Sequence, residues 1–478
     1  MATLLWTGSV VLYLLAFYNC LHILGARRSP AASISWIWAN LALPIVGVPL
    51  YWFLRPVRVN DYRREGEKTL VGLSPLAGGL PASPHLQEYS RVFSAFGPVF
   101  YPVESWVELL VDGAFTFQEI FRGIQQAKHY IFVQYYILRS DRLGKELKDL
   151  LISKAEEGVK IFLLYDDMGS FWLPRRYLAD LKRSGVETAS FLPIFSVKRF
   201  FLMNYRNHRK LVLIDGSTAF TGGLNVGEEY VGRRFGRKIQ WRDTHVQLKG
   251  ESVRQLESVF IDDWLYATGA NLASRGKLLP SSGRSFSAVA LGDQFIRQWV
   301  QVFPSSPFDE TNIGMLLFMQ MIHGAKQRIW VSTPYFIPDE ALQKSLELAI
   351  LRGVDVRILI PEKSEQRIVH WVTMSYAEQI QSKGVKILLY QKGFNHQKVV
   401  LIDHDLTFVG TSNFDNRAMY LNFEMMVAIH GEECNQQVEK MLEKDFADAA
   451  PYRVRSKLRL RRLLHLGANG ARLLAPLL

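Results

Sequence analysis

At 478 residues the chain has room for two or three domains. A net charge of +12 implies an anionic partner, either nucleic acid or lipid headgroups. Only two cysteines occur, Cys20 and Cys434, which excludes a disulfide framework and a thiolate metal site, and no His, Cys and acid spacing fits zinc.

The chain opens with "LLWTGSVVLYLLAFYNCLHIL" (4 to 24), which has no formally charged residue and is long enough to cross a bilayer. A short polar turn with Arg27 and Arg28 follows, then a second uncharged run from Ala31 to Leu54, with a kink expected at Pro44. A cleaved signal peptide fits poorly, because no basic segment precedes the first run and a second run follows it. The flank after the second run carries Arg55, Arg58, Arg63, Arg64 and Lys68. The richer basic flank stays in the cytoplasm, so both ends of the hairpin and everything after residue 56 are expected there.

Past a linker rich in Gly, Pro and Ser, strand and helix signals alternate. "HYIFVQYYIL" (129 to 138) reads as a buried strand, "GKELKDLLISKAEEG" (144 to 158) as a helix stopping at Gly158, and "VKIFLLYDD" (159 to 167) as the next strand. This predicts an α/β domain with a mainly parallel or mixed sheet. The order recurs in "AKQRIWVSTPYFI" (325 to 337), "ALQKSLELAILRGVDVRILI" (341 to 360) and "QSKGVKILLY" (381 to 390), which implies duplication of one unit.

Each copy holds one motif. "NHRKLVLIDG" (207 to 216) carries His208, Lys210 and Asp215; "NHQKVVLIDH" (395 to 404) carries His396, Lys398 and Asp403 at the same spacing. Each is followed by a glycine turn and, ten residues after the Asp, by Asn225 or Asn413. A lone buried strand with a polar entrance explains one such stretch; two in a duplicated frame it does not. Residues i and i+2 of a strand share a face, so each His projects with its Lys. Two imidazoles, two ammonium groups and two carboxamides around one site make a receptor for a phosphoryl group. Asp215 and Asp403 complete the motifs, but five residues beyond the Lys they fall on the opposite face, about 16 Å away. They are expected to pin a turn. The carboxylates that orient the imidazoles are sought instead in Asp243 of "WRDTH" and Glu424 of "LNFE".

The paired motif resembles that of the phospholipase D superfamily. With the N-terminal runs, "STPYFIPDEAL", "RGVDVRILIP", "WRDTHVQLKG" and "SNFDNRAMYLNFE", nearly the whole chain is similar to the bacterial cardiolipin synthases. One departure is Gly223, where many members have Ser; the hydroxyl that could touch phosphate is missing. The resemblance implies an α/β fold of two duplicated phospholipase D-like domains packed about a pseudo-twofold axis, after a transmembrane two-helix hairpin. The expected boundaries are hairpin 1–56, linker 57–87, first domain 88–273, linker 274–287, second domain 288–450 and a basic amphipathic tail 451–478. It also implies a multi-pass protein of the bacterial inner membrane with cytoplasmic catalytic domains.

The implied reaction is ping-pong phosphatidyl transfer. One His attacks the phosphodiester of phosphatidylglycerol, the other protonates the departing glycerol, and a second phosphatidylglycerol takes the phosphatidyl group. The N-terminal His208 is expected to be the nucleophile and His396 the acid and base. Asn225 and Asn413 would bind the phosphate with the two Lys, and no metal or cofactor is required. Alternatives are hydrolysis, a phosphatidylserine-type synthase, or more distantly a membrane-attached nuclease; nucleic acid is disfavoured as a partner, and self-association stays open. Anionic membrane lipid is expected to meet two further segments: "VKRFFLMNYRNHRK" (197 to 210), with Phe200, Phe201, Leu202 and Met203 in lipid and Lys198, Arg199 and Arg206 on headgroups, and the tail.

Overall fold

A computed structural model describes residues 2–25, 30–54, 62, 65–70, 83–193, 202–234, 237–274, 292–364, 366–453, 470–472 and 475. Arg27, Arg28, most of the basic flank after Leu54, residues 197 to 201 of the loop, the linker from 275 and most of the tail lie outside them. The chain divides into two compact units, residues 1–59 with 192–205, and 60–191 with 206–478.

In the first unit, the helix Ala2–Gly25 is, by length and composition, the one helix among the described residues that could cross a membrane. The second apolar run is not one span but two helices, Pro30–Ala42 and Pro44–Leu54. Pro44 has no N–H and its ring crowds the preceding turn, so the helix breaks at Leu43. Gly47 is required at this bend: a Cβ there would come within 2.3 Å of the Ala39 carbonyl oxygen. The helices are stitched by polar groups. Asn19 accepts from Trp52 Nε1 at 2.9 Å and donates to Asn40 at 2.8 Å, and both asparagines are fully buried. Such bonds hold helices together where apolar surface alone gives no preference.

In the second unit, one mixed sheet has sixteen strands among the described residues, fifteen in one row and Arg206–Asn207 paired beside Asn422–His430. From one edge the order is Glu187–Phe191, Lys160–Asp166, Tyr130–Tyr135, Leu211–Ile214, Thr218–Gly222, Thr244–Gly250 and Val103–Val111. From the other, after the edge strand Ala449–Pro451, it is Lys386–Tyr390, Asp355–Pro361, Arg328–Ser332, Val399–Ile402, Leu406–Gly410, Asn422–His430 and Ile296–Ser305. The two series meet where Val103–Val111 pairs antiparallel with Ile296–Ser305. Each series holds three parallel strands at its outer side. These are the continuous apolar runs of the sequence; all six residues of Tyr130–Tyr135 are buried, as helices on both faces require. The connecting helix Arg142–Glu156 starts at Asp141, whose carboxylate accepts from the Gly144 N–H at 3.0 Å, and the chain turns out at Gly158 with φ +92°.

Arg206 does not fit the expected headgroup contact. It is buried, with its guanidinium 3.3 Å from Asp166. Leu202 is buried too. At the far end of the tail, Arg472 lies over the Tyr376 ring at 4.1 Å and donates to Gln379.

Candidate active site

Neither His-x-Lys lies within a strand. Residues 208–210 and 396–398 lead into Leu211–Ile214 and Val399–Ile402, after two-residue strands at Arg206–Asn207 and Phe394–Asn395. Those short strands carry the design. Arg206–Asn207 pairs parallel with Asn422–Phe423, and His208 N–H continues the ladder to the Phe423 carbonyl at 2.9 Å. Phe394–Asn395 pairs parallel with Trp241–Arg242, and His396 N–H continues to the Arg242 carbonyl at 2.8 Å.

The next residue on each partner strand is a carboxylate, so the register sets an acid beside each imidazole. His208 Nδ1 is 2.9 Å from Glu424 Oε1, and His396 Nδ1 is 2.7 Å from Asp243 Oδ2. The pairing is crossed: each motif's His takes its carboxylate from the segment following the other motif. An Nδ1–H donated to a carboxylate leaves Nε2 with its lone pair exposed to a substrate.

The site is dry. His208 and His396 are 8% and 7% exposed, Lys210 and Lys398 0% and 2%. The Tyr136 ring lies edge-on to His208 at 4.9 Å, and Trp241 and Tyr230 lie 5.2 and 6.0 Å from His396. Each ammonium donates to the carbonyl of its own His, Lys210 at 2.6 Å and Lys398 at 2.5 Å.

Burial lowers the His208 pKa to about 4 against the raising field of Glu424, and Lys210 and Lys398 lower it further. Burial, then Lys398, Lys210 and His208, push His396 well below its ordinary value. Burial also depresses both lysines, Lys398 to about 8. These mutual effects put both motifs in one electrostatic cluster. The two acids differ. Burial raises Glu424, but His208, Lys210 and Thr411 outweigh it and hold the carboxyl below its usual range. Burial keeps Asp243 above its usual range despite Lys398. Thr411 is the source of part of that difference, since its hydroxyl donates to Glu424 at 2.5 Å. The matching position is Gly223, and a Cβ there would stand 2.0 Å from Asp243 Oδ1. No serine hydroxyl fits without displacing Asp243.

Asp215 and Asp403 each hold three consecutive backbone amides. Asp215 accepts from the N–H groups of Lys128, His129 and Tyr130 at 2.8 to 2.9 Å, and Asp403 from those of Lys326, Gln327 and Arg328 at 2.7 to 3.0 Å. Both have positive φ, +52° and +46°, where Asp is tolerated at a turn. Asn225 is bonded at both ends of its carboxamide. Its Oδ1 accepts from Ile137 N–H at 3.1 Å and its Nδ2 donates to Tyr230 Oη at 3.0 Å, so it fixes the tyrosine beside His396. Asn413 Oδ1 is buried without a hydrogen-bond partner among the described residues.

The residue before each His was not singled out in the sequence. Asn207 Oδ1 accepts from Arg209 N–H at 3.1 Å and Asn395 Oδ1 from Gln397 N–H at 3.4 Å, bending the chain around the imidazole. The repeated Asn-His pair was the available signal. Tyr136 and Tyr230 had none, because no spacing ties them to a motif, whereas Trp241 stands two residues before Asp243.

Burial pushes the Asp403 carboxyl up, but His85 and the three amides outweigh it and hold it well below the usual range. A depressed carboxyl contributes stability that is full above the unfolded value, about 3.9, and fades as pH falls below it. Asp403→Ala is expected to cost about 2–3 kcal/mol by leaving amides unpaired. Thermal melts between pH 3 and 7 check this: the variant should melt lower at pH 7 and lose less on acidification than the parent.

Residues 120–264 and 318–446 match the family described as "Cardiolipin synthase, PLD-like domain". The chain is 36% identical to cardiolipin synthase A of Pseudomonas aeruginosa (strain LESB58), over 98% of this chain and 95% of that one. It is 37% identical to the cardiolipin synthase of Alkalihalophilus pseudofirmus, over 88% and 83%. In fold it is similar to the crystal structure of phosphatidylserine synthase from Haemophilus influenzae Rd KW20, with a TM-score of 0.59 and 16% identity over 78% of this chain and 97% of that one. Two matched segments that each hold one His-Lys motif, and relatives aligned nearly end to end, place this chain in the cardiolipin synthase family of the phospholipase D superfamily.

Proposed function

We propose that the protein is a phosphatidyltransferase that converts two phosphatidylglycerols into cardiolipin and glycerol through a phosphohistidine. The observation that carries this reading is the pair of carboxylate-oriented imidazoles in one buried cluster with two lysines. His208 Nε2 attacks phosphorus and the bond to the glycerol oxygen breaks, while His396 gives that oxygen its proton. The hydroxyl of a second phosphatidylglycerol then passes its proton to His396 and attacks phosphorus. The P–N bond breaks and His208 is released. Lys210 and Lys398 stabilise the charge on the non-bridging oxygens. Burial holds both imidazoles neutral, and the negative phosphodiester offsets the lysine charges, letting His396 carry the proton. Glu424, held ionised, raises the electron density of His208, which favours it as nucleophile.

Tyr136, Tyr230 and Trp241 pack against the buried imidazoles, and this aromatic lining favours a lipid hydroxyl over water as acceptor. Purified protein given phosphatidylglycerol alone should yield cardiolipin and glycerol by mass spectrometry. Phosphatidic acid as the main product would replace this reading with hydrolysis.

The duplicated domains, 88–273 and 288–450 about a pseudo-twofold axis, are supported by the same strand order counted from either edge and by two matched segments. The 1–56 segment acts as a membrane hairpin, its second arm bent at Pro44, with both ends and the catalytic domains on the cytoplasmic side of the bacterial inner membrane. In Ser29→Cys, labelling from outside the cell only is expected; labelling from the cytoplasm overturns that topology.

A further inference from the structure

We infer that two segments at the rim of the site, residues 167–173 and 366–371, form a surface that docks on an anionic lipid bilayer. The inference rests on the reading that the substrates are membrane lipids, and extends it to how the site meets them.

The first loop follows the strand Lys160–Asp166. Its base is fixed: Asp166 accepts from the N–H groups of Met168 and Gly169 at 3.0 and 2.9 Å, and Ser170 Oγ donates to the Tyr136 carbonyl at 3.1 Å. Gly169 packs so closely that a Cβ would stand 2.2 Å from that carbonyl oxygen. The loop is thus tied to the tyrosine that lies 4.9 Å from His208. Its tip points the wrong way for a soluble protein. Trp172 is 85% exposed and Phe171 49%, with the two rings edge to face at 5.1 Å, and Met168 beside them is 39% exposed.

The second segment comes after the matching strand Asp355–Pro361 and opens the helix Arg367–Gln381. Thr373 on that helix accepts from Phe336 N–H at 3.4 Å, and Phe336–Ile337 pairs parallel with Phe414–Asp415, directly after Asn413. Ile368 and Trp371, one turn apart on the same helix face, are 51% and 50% exposed. Cations flank both patches: Arg175 and Arg176 beyond the first, Lys363 and Arg367 at the second, all exposed. Three acids lie in or next to these stretches: Asp167 and Glu362 are half-buried, and Glu365 stands in the sequence between Lys363 and Arg367.

Rigid bases with apolar tips are the reverse of what burial in water favours, and tryptophans ringed by Lys and Arg suit the headgroup level of a bilayer. The same arrangement on both series of strands gives two attachment points, one tied to Tyr136 beside His208 and the other to the segment after Asn413. Lipid drawn between them would meet the imidazoles without crossing water.

The test uses the full chain reconstituted in phosphatidylglycerol vesicles. Cys20 and Cys434 are buried, so a polarity-sensitive dye can be placed on Trp172→Cys or Trp371→Cys. Brominated acyl chains should quench both dyes. In parallel, the Phe171→Ser, Trp172→Ser and Trp371→Ser triple variant should lose about tenfold or more in kcat/KM on vesicles. Its rate on monomeric short-chain phosphatidylglycerol should stay within about twofold of the parent. Dyes that remain in water, or equal losses on vesicles and monomers, would overturn the inference. A parent chain inactive on both substrates would instead refute the lipid-transfer reading, and the quenching result would still decide the docking surface.

Discussion

Alanine at either His208 or His396 is expected to stop phosphatidyl transfer, with a loss of at least about 10⁴-fold in rate. Lys210→Ala and Lys398→Ala should each cost about 10³-fold, since each removes a cation from a dry cluster where charge is poorly screened. The two histidine variants should part company on an activated substrate. A p-nitrophenyl phosphodiester has a leaving group that needs no proton, so it bypasses the acid. His396→Ala should therefore still form a phosphoenzyme slowly, and His208→Ala should form none. Rapid quench followed by peptide mapping reads the result. An adduct mapped to His396 in the parent would reverse the two roles and leave the two-histidine chemistry standing.

Much of the scaffold was legible because its strands are buried on both faces. Tyr130–Tyr135 and Lys160–Asp166 show as unbroken apolar runs, and the helix between them shows by its period and its terminal Gly158. The site residues were legible as a repeated spacing, down to the carboxylates worth suspecting. Their partners were not. Which acid serves which imidazole depends on two-residue parallel strands that join segments about 150 to 220 residues apart, and no local pattern encodes such a pairing. The tyrosine contact of Asn225 was hidden for a related reason. A carboxamide suits a phosphate as well as it suits a tyrosine hydroxyl, and only position decides between them. At Pro44 the residue was recognised and its effect underestimated: a kink was expected where the helix ends and restarts.

The crossed pairing makes a second large prediction. Glu424→Gln keeps the shape of the side chain but lets an amide N–H face His208 Nδ1. The imidazole would then hold its proton on Nε2, the atom that must attack, and the rate should fall by about 10³–10⁴-fold. Asp243→Asn should do the same to His396. The two variants can be told apart in the His396→Ala background with the activated phosphodiester, where His208 works alone. There Glu424→Gln should suppress adduct formation, because Glu424 is 2.9 Å from His208 Nδ1. Asp243→Asn should change it by less than about threefold, because its imidazole partner is already gone and the effects of one pair do not add. If Asp243→Asn suppressed the adduct and Glu424→Gln spared it, each histidine would be served from within its own half, and the register of Arg206–Asn207 on Asn422–Phe423 could not be the working one. The expected outcome has a consequence for the fold. Neither half holds a complete site, since each supplies the base that orients the other's imidazole, so chemistry requires the antiparallel seam between Val103–Val111 and Ile296–Ser305 to keep the two in register.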